Sequence, residues 1–561
     1  MGKIRSKSLF FTTSPRTPSK MIPEIRLLHE CFEGKIWNKE NQIKYTEELE
    51  KMDFFEGSTS KEKDFSARDR INRAPKSLGF VDLNPEIALT EAGKEFVYGH
   101  RQQEIFLRQI LKFQLPSPFH IEIKDIKNTF HIKPYLEILR LIYDLEYLTF
   151  DELKIFALNL TDYRNYETVL QDIKIFRIKK GKYSNNYKKF ADEIWTKVLI
   201  DIYNTNITKG NTKTRETKDN SLKKFISTKK SNARDYTDAC FRYLRFTGLV
   251  AIKNTNRSIS IYNDKLEEVK FILKTVDRNP IFIEDEVNYK KYLYNKTIPV
   301  LYVDNKVNLI EYLMQSTSYT KRQLAEKKIE ELKDLKDEIV KKRKERFITS
   351  QISKIKSYSL YSDIIDTYNE IISNNCYDAP LMLEYNTWRA MTMLNGGNIK
   401  GNFNFDDFGQ PLSTASGNMP DIECYYDEFA LTVEVTMQQG QRQYEMEGEP
   451  VARHFGQMKK RIGKDTYCLF IAPTINSSTL AHFYGLNQIS ISYYGGKPKI
   501  IPLELGLFMK LIENAYNYRT IPNPTHIRRF LDEVLDQELS SIDEIEWYQK
   551  ISKCTEKWLV A

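Results

Sequence analysis

The sequence predicts a multidomain α/β chain with a mostly α-helical N-terminal part, a helical linker and a C-terminal α/β layer. Three observations carry that reading. A densely charged helical stretch divides the chain, two similar helix-then-hairpin segments precede it, and short alternating strands separated by a helix follow it. The length of 561 residues leaves room for roughly three or four domains. Hydrophobic residues at 41% and aromatic residues at 12% supply cores, which excludes a disordered chain.

The dividing stretch, Lys321 to Arg346, has 18 charged residues in 26, no Gly or Pro, and Leu332, Leu335 and Ile339 at helical spacing. A run of this kind is most often a solvated helix, and it is read as one. Residues 311–350 are therefore expected to form a helical linker between a region 1–310 and a region 351–561.

Upstream, SARDRINRAPKSLGFV (66–81) and NARDYTDACFRYLRFTGLV (232–250) each have Ala-Arg-Asp opening a helical pattern that ends in Gly and an apolar pair. IALTEAGKEFV follows the first and IKNTNRSISIYN the second, each read as alternating wing strands. Between them, Thr149 stands three residues before Glu152 at capping-box spacing. Winged-helix-like units are expected at about 1–100, 101–204 and 205–310. The first carries Arg68, Arg70, Arg73 and Lys76, and residues 205–234 hold nine Lys or Arg, including Lys229, Lys230 and Arg234, against two acids. Such clusters neutralise phosphates, so double-stranded DNA is the expected partner, with a merely solvated basic face as the alternative. The arm SLFFTTSPRTPSK adds Arg16 and Lys20 and either reaches along a groove or packs on the core.

Beyond the linker the charge reverses: Asp421 to Glu449 contains eight acids and one base, Arg442. Carboxylate-rich clusters suit hard divalent cations. In LTVEVT, Leu431, Val433 and Val435 alternate with Thr432, Glu434 and Thr436, the period of a half-buried strand. DIECYY precedes it, and Asp427-Glu428 is a polar turn between the two. A two-residue turn there sets Asp421 opposite Glu434 on one sheet face, about 5 Å apart at Cβ, where a cation relieves their repulsion. TYCLFIAP is read as a central strand, STLAHFYGL as a helix and ISISYYGG as a further strand. Pro450 is expected to open the helix that carries His454, leaving Glu447 in a loop.

Pro420-Asp421, twelve residues, then Glu434-Val435-Thr436 resembles the PD-(D/E)xK nuclease core in the variant of AlwI-like type IIS restriction endonucleases, the group with MlyI, PleI and related nicking endonucleases. The SPRTPSK arm, the ARD helix ending LGFV with ALTEAG after it, ARDYTDACFRYLRFTGLV and PLMLEYNTWRAM extend the similarity over most of the chain. The resemblance implies a type IIS restriction endonuclease of a restriction-modification system that binds a short asymmetric site and hydrolyses phosphodiesters nearby. It implies Glu384, Asp421, Glu434, Glu447 and His454 as catalytic residues, Asp421 and Glu434 as ligands of one or two Mg²⁺ ions, and a cognate DNA methyltransferase as genetic partner. One metal site cuts one strand, so a transient dimer of nuclease domains is expected for double-strand cleavage. Thr436 stands where the motif usually has Lys, which supports the alternative of a DNA-binding regulator with an inactive nuclease fold; a nicking endonuclease of the same family is the other alternative, which dimer contacts rather than this residue would decide. Six scattered cysteines without a CxxC pair argue against a zinc ribbon or disulfide framework, and no apolar run suits a membrane span, so cytoplasmic residence is expected.

Overall fold

Thr149 Oγ1 accepts from the Glu152 amide at 3.2 Å while the Thr149 amide donates to Glu152 Oε2 at 2.9 Å, the capping box anticipated above. It starts helix Phe150–Ile155 directly after strand β1 (Tyr147–Thr149) in the computed structural model of the protein. Residues 7–559 are described, apart from 53, 56–61, 121–125, 184–185, 215, 254–256, 374, 395, 416 and 519–521. They form two units, Met1–Asp337 and Glu338–Ala561.

In the first unit, helix α1 (Leu222–Phe246) ends before Gly248, whose φ of +71° turns the chain into the hairpin of β2 (Val250–Lys253) and β3 (Ser258–Ile261). Residues 254–256 of that expected wing lie outside the described residues. Ala-Arg-Asp is not at the start of this helix but in its middle, since Ser221 caps it through the Lys224 amide. β1 pairs antiparallel with β3, giving the order β1-β3-β2. The segments expected as separate units, 101–204 and 205–310, are thus tied by one sheet. After the earlier ARD segment, Val81–Asp82 pairs with Ala88–Leu89, but EAGKEFVY is helix Glu91–Tyr98 and not a strand. Thr90 decides this by accepting from the Gly93 amide at 2.9 Å.

Of the two alternatives for the N-terminal arm, the chain adopts the packed one. Leu9 and Phe11 are buried, the Leu9 amide donates to Leu158 O at 2.6 Å, and the Tyr243 hydroxyl donates to Pro15 O at 3.1 Å.

The charged stretch is two helices rather than one. Lys321–Ala325, capped by Thr320, is separate from α2 (Ile329–Lys356), which contains the boundary between the units. One face of its first turns is packed, while Glu330 and Asp334 stay exposed. Leu332 is fully buried, and Lys333 Nζ reaches Asp304 at 2.7 Å and Glu104 at 3.0 Å, carboxylates that Arg108 also binds. Arg101 binds Glu330, Asp334 and Asp337 along the same helix.

The second unit is built on a mixed five-stranded sheet. β4 (Asn398–Gly401), β5 (Ile422–Tyr425) and β6 (Phe429–Val435) are antiparallel, and β7 (Asp465–Ala472) and β8 (Ile500–Glu504) extend it in parallel from β6. Leu431 pairs with Cys424 and Val433 with Ile422, the register of a turn centred on Asp427-Glu428. Leu431 and Val433 face a core shared with α3 (Ala379–Met393). β6 is not half-buried as its alternation suggested. Helix α4 (Gln441–Ile462) covers the other face, with Val451 and Phe455 packed against Cys468 and Phe470. Pro450 lies inside α4 instead of opening it, so Glu447 is helical. STLAHFYGL is α5 (Ser477–Gln488), as read, but ISISYYGG supplies no strand of the sheet. Ser492–Tyr494 is a 3₁₀ turn followed by Gly495 and Gly496 at positive φ, and the strand that joins the sheet is β8.

Replacing Lys333 by Ala leaves two carboxylates sharing one guanidinium. Hydrogen exchange should quicken over 329–337 but not in β6, with about 1–3 kcal/mol lost locally, between an exposed pair and a fully buried one.

Candidate active site

Asp421 sits at the bend leading into β5, where its Oδ2 accepts from the Val435 amide at 2.8 Å. That bond fixes the aspartate against the end of β6, one residue past Glu434. Glu434 leaves the Leu431 and Val433 face, as alternation requires, yet is only 6% exposed because α4 lies over it. His454 Nδ1 is 2.9 Å from Glu434 Oε1, in a buried contact. Glu384 comes from α3, whose middle is buried, and its Oε2 accepts from the Ala415 amide at 2.9 Å. Burial, then the negative charge of Asp421, holds the Glu384 carboxyl well above the usual carboxylate range, and Glu434 adds to the effect. Burial pushes the Cys468 thiol up, and Glu434 and Asp421 push it the same way.

The structure therefore brings Glu384, Asp421, Glu434 and His454 into one buried site. Glu447 is half-buried on the same face of α4, two turns before His454 and about 10 Å along the axis. Buried Glu384 and Glu434 and half-buried Asp421 raise the cost of ionising Glu384, and a proton or a cation among them relieves it. Hard oxygen donors of this kind fit a divalent ion. Thr436 offers no substitute for the motif Lys: its hydroxyl accepts from the Gln438 amide at 3.1 Å and carries no charge. Sequence reading did not assign a role to Arg453 or Asn418, which are bonded to each other beside this site. No local pattern marks that pair, since the contact joins segments 35 residues apart.

The basic residues of the first unit fall into two groups. Arg68 pairs with Asp64 at 2.7 Å, Arg70 with buried Glu24, and Arg73 with Asp69, so each carries an intramolecular ion pair. Lys76 lies over the Phe119 ring at 5.1 Å. On α1, Lys229 covers Tyr203, Lys230 binds Asp192 at 2.6 Å, and exposed Arg234 lies 5.5 Å from Trp195. The arm adds exposed Arg16, paired with Asp235 of α1 at 3.1 Å, and exposed Lys20. Arg16 thus ties the arm to α1.

The AlwI restriction endonuclease profile matches residues 76–511. The chain belongs to the AlwI restriction endonuclease family. Members of a restriction endonuclease family are DNA-cleaving hydrolases, which typically use divalent metal ions. Among solved structures, the small subunit (R.BspD6I2) of the heterodimeric restriction endonuclease R.BspD6I is 28% identical over 34% of this chain and 98% of its own, with a TM-score of 0.31. The BpuJ1 endonuclease binding domain, solved with pyrene- and phenanthrene-modified DNA, is 14% identical over 49% of this chain and 92% of its own, also at 0.31. Neither overlap is close enough to transfer a domain arrangement. No curated protein matches the chain. Among the described residues of this AlwI-family chain, no helix is long and apolar enough to cross a membrane.

Because the folded-state pKa of Glu384 lies above its usual 4.5, the metal-free fold binds an extra proton, and its stability falls as pH rises from 4.5 through the raised value. Glu384→Gln should escape that loss. Its melting temperature in chelator should exceed the wild type's above this window and converge with it below pH 4.5.

Proposed function

We propose that the protein is a type IIS restriction endonuclease that binds a short asymmetric duplex site and hydrolyses phosphodiesters at a short distance from it with Mg²⁺. The observation that carries this reading is the buried convergence of Glu384, Asp421 and Glu434 in a chain of the AlwI family. Asp421 and Glu434 would hold the ion, fixed by the Val435 amide and by His454. Bound Mg²⁺ polarises the phosphoryl oxygen and lowers the pKa of a coordinated water. Glu384 would complete the carboxylate set, and Glu447 or His454 would orient the attacking water.

Recognition is assigned to the first unit. Its order of helix, strand β1, helix, α1 and the β2–β3 hairpin is that of a winged helix with a long insertion before α1. Arg16, Lys20, Lys229, Lys230 and Arg234 would contact phosphates there, with Arg68, Arg70, Arg73 and Lys76 as a second basic surface once DNA competes for their acidic partners. A cognate DNA methyltransferase would protect the host site.

Asp421→Asn and Glu434→Gln should each lower cleavage of a plasmid in Mg²⁺ by at least about a hundredfold while site-specific binding persists. A wild-type protein that binds DNA but never cuts would instead identify a regulator with an inactive nuclease fold.

Double-strand cleavage would need a second nuclease unit paired transiently on DNA. The nicked-to-linear product ratio should then rise as enzyme is diluted at fixed plasmid. A ratio independent of enzyme concentration would overturn transient pairing, and nicked circles alone at every concentration would mark a nickase.

A further inference from the structure

One turn of α4 handles both chain segments that carry the acid pair. His454 bonds Glu434, and the residue before it, Arg453, donates from Nη1 to Asn418 Oδ1 and from Nε to Glu449 Oε2 at 3.1 Å. Asn418 adopts a left-handed φ of +61°, which asparagine tolerates better than most residues, three residues before Asp421. From the sheet side, Asn402 Nδ2 donates to Pro420 O at 2.7 Å and the Asn402 amide to Asp421 O at 2.9 Å. The segment before Asp421 is therefore held by Asn402 on one side and by Arg453 on the other.

The Glu449 contact does not account for this arrangement. It is an i,i+4 pair whose glutamate is 53% exposed, an interaction of a few tenths of a kcal/mol. The Arg453 side chain is only 20% exposed, and its fork reaches two partners at once, which a lysine's single ammonium on a flexible stem does less well.

We propose that Arg453 is a positioning residue for the divalent metal: through Asn418 it fixes Asp421 where that carboxylate and Glu434, held by adjacent His454, close on one ion. The inference rests on the reading of Asp421 and Glu434 as metal ligands. Two carboxylates of like charge tend to splay apart, so a site that must admit an ion needs both backbones anchored. Groups that orient first ligands in this way change metal affinity by about 10- to 100-fold when removed.

The test is Mn²⁺ binding to the full-length, DNA-free protein, followed by loss of the free-ion paramagnetic resonance signal. Arg453→Ala is expected to weaken Mn²⁺ by about tenfold, Asn418→Gly by a similar factor, and the double variant no more than either single one. Arg453→Lys should fall between wild type and Arg453→Ala. Cleavage by Arg453→Ala should return to within a few fold of wild type at saturating Mg²⁺, with an unchanged unfolding midpoint. If Arg453→Ala fails to fold, Asn418→Gly, which removes the same bond and keeps the left-handed φ without strain, decides the matter. Unchanged Mn²⁺ affinity, or additive losses in the double variant, would overturn the proposal. Asp421→Asn binding Mn²⁺ as tightly as wild type would overturn the metal-site reading itself, and this proposal with it.

Discussion

Placing three carboxylates in one buried space is the constraint on which the second unit depends. Glu384, Asp421 and Glu434 come from a helix, a bend and a strand, and each is fixed by a group outside the trio: the Ala415 amide, the Val435 amide and His454. Left alone, such a cluster would take up protons or spread apart. The sheet prevents the spreading by pairing β5 with β6, and α4 prevents hydration by lying over the face from which Glu434 projects. The site is thus rich in carboxylates and enclosed, chemistry that suits a divalent ion.

The same helix explains why a fully buried strand carries an alternating pattern. Leu431 and Val433 meet the apolar core on one side, while Thr432 and Glu434 meet a second covering that includes His454. Alternation usually reports one wet face. Here it reports one apolar and one functional face.

Legibility in the sequence follows the range of the interactions involved. The β5–β6 register was readable because a local polar turn and strict alternation determine it together. The Thr149 capping box was readable for the same reason. Pairing of β1 with β3 was not, since a long helical insertion separates them and no local signal marks the partner. ISISYYGG misled through its alternation, although its Gly-Gly end allowed the turn that Gly495 and Gly496 make. The candidate acids came from a family resemblance and from strand geometry. The roles of Arg453 and Asn418 depend on a contact between segments 35 residues apart, and so required the fold.

The seam between the units has a consequence for building hybrid enzymes. Residues 329–337 of α2 have their side-chain partners in the first unit, among them Glu104 and Asp304 for Lys333. Lys344 instead donates to Phe405 O at 2.7 Å, and Phe347 fills the space beside Gly409, both within the second unit. A graft joined before Ile329 would strip one module of its own clasp. One joined after Phe347 would leave the other without its support. A chimera that keeps both modules intact has its crossover in the half-dozen residues between Asp337 and Lys344, inside a helix where Arg343 lies on the Phe408 ring and Lys342 pairs with Glu338 of the same helix.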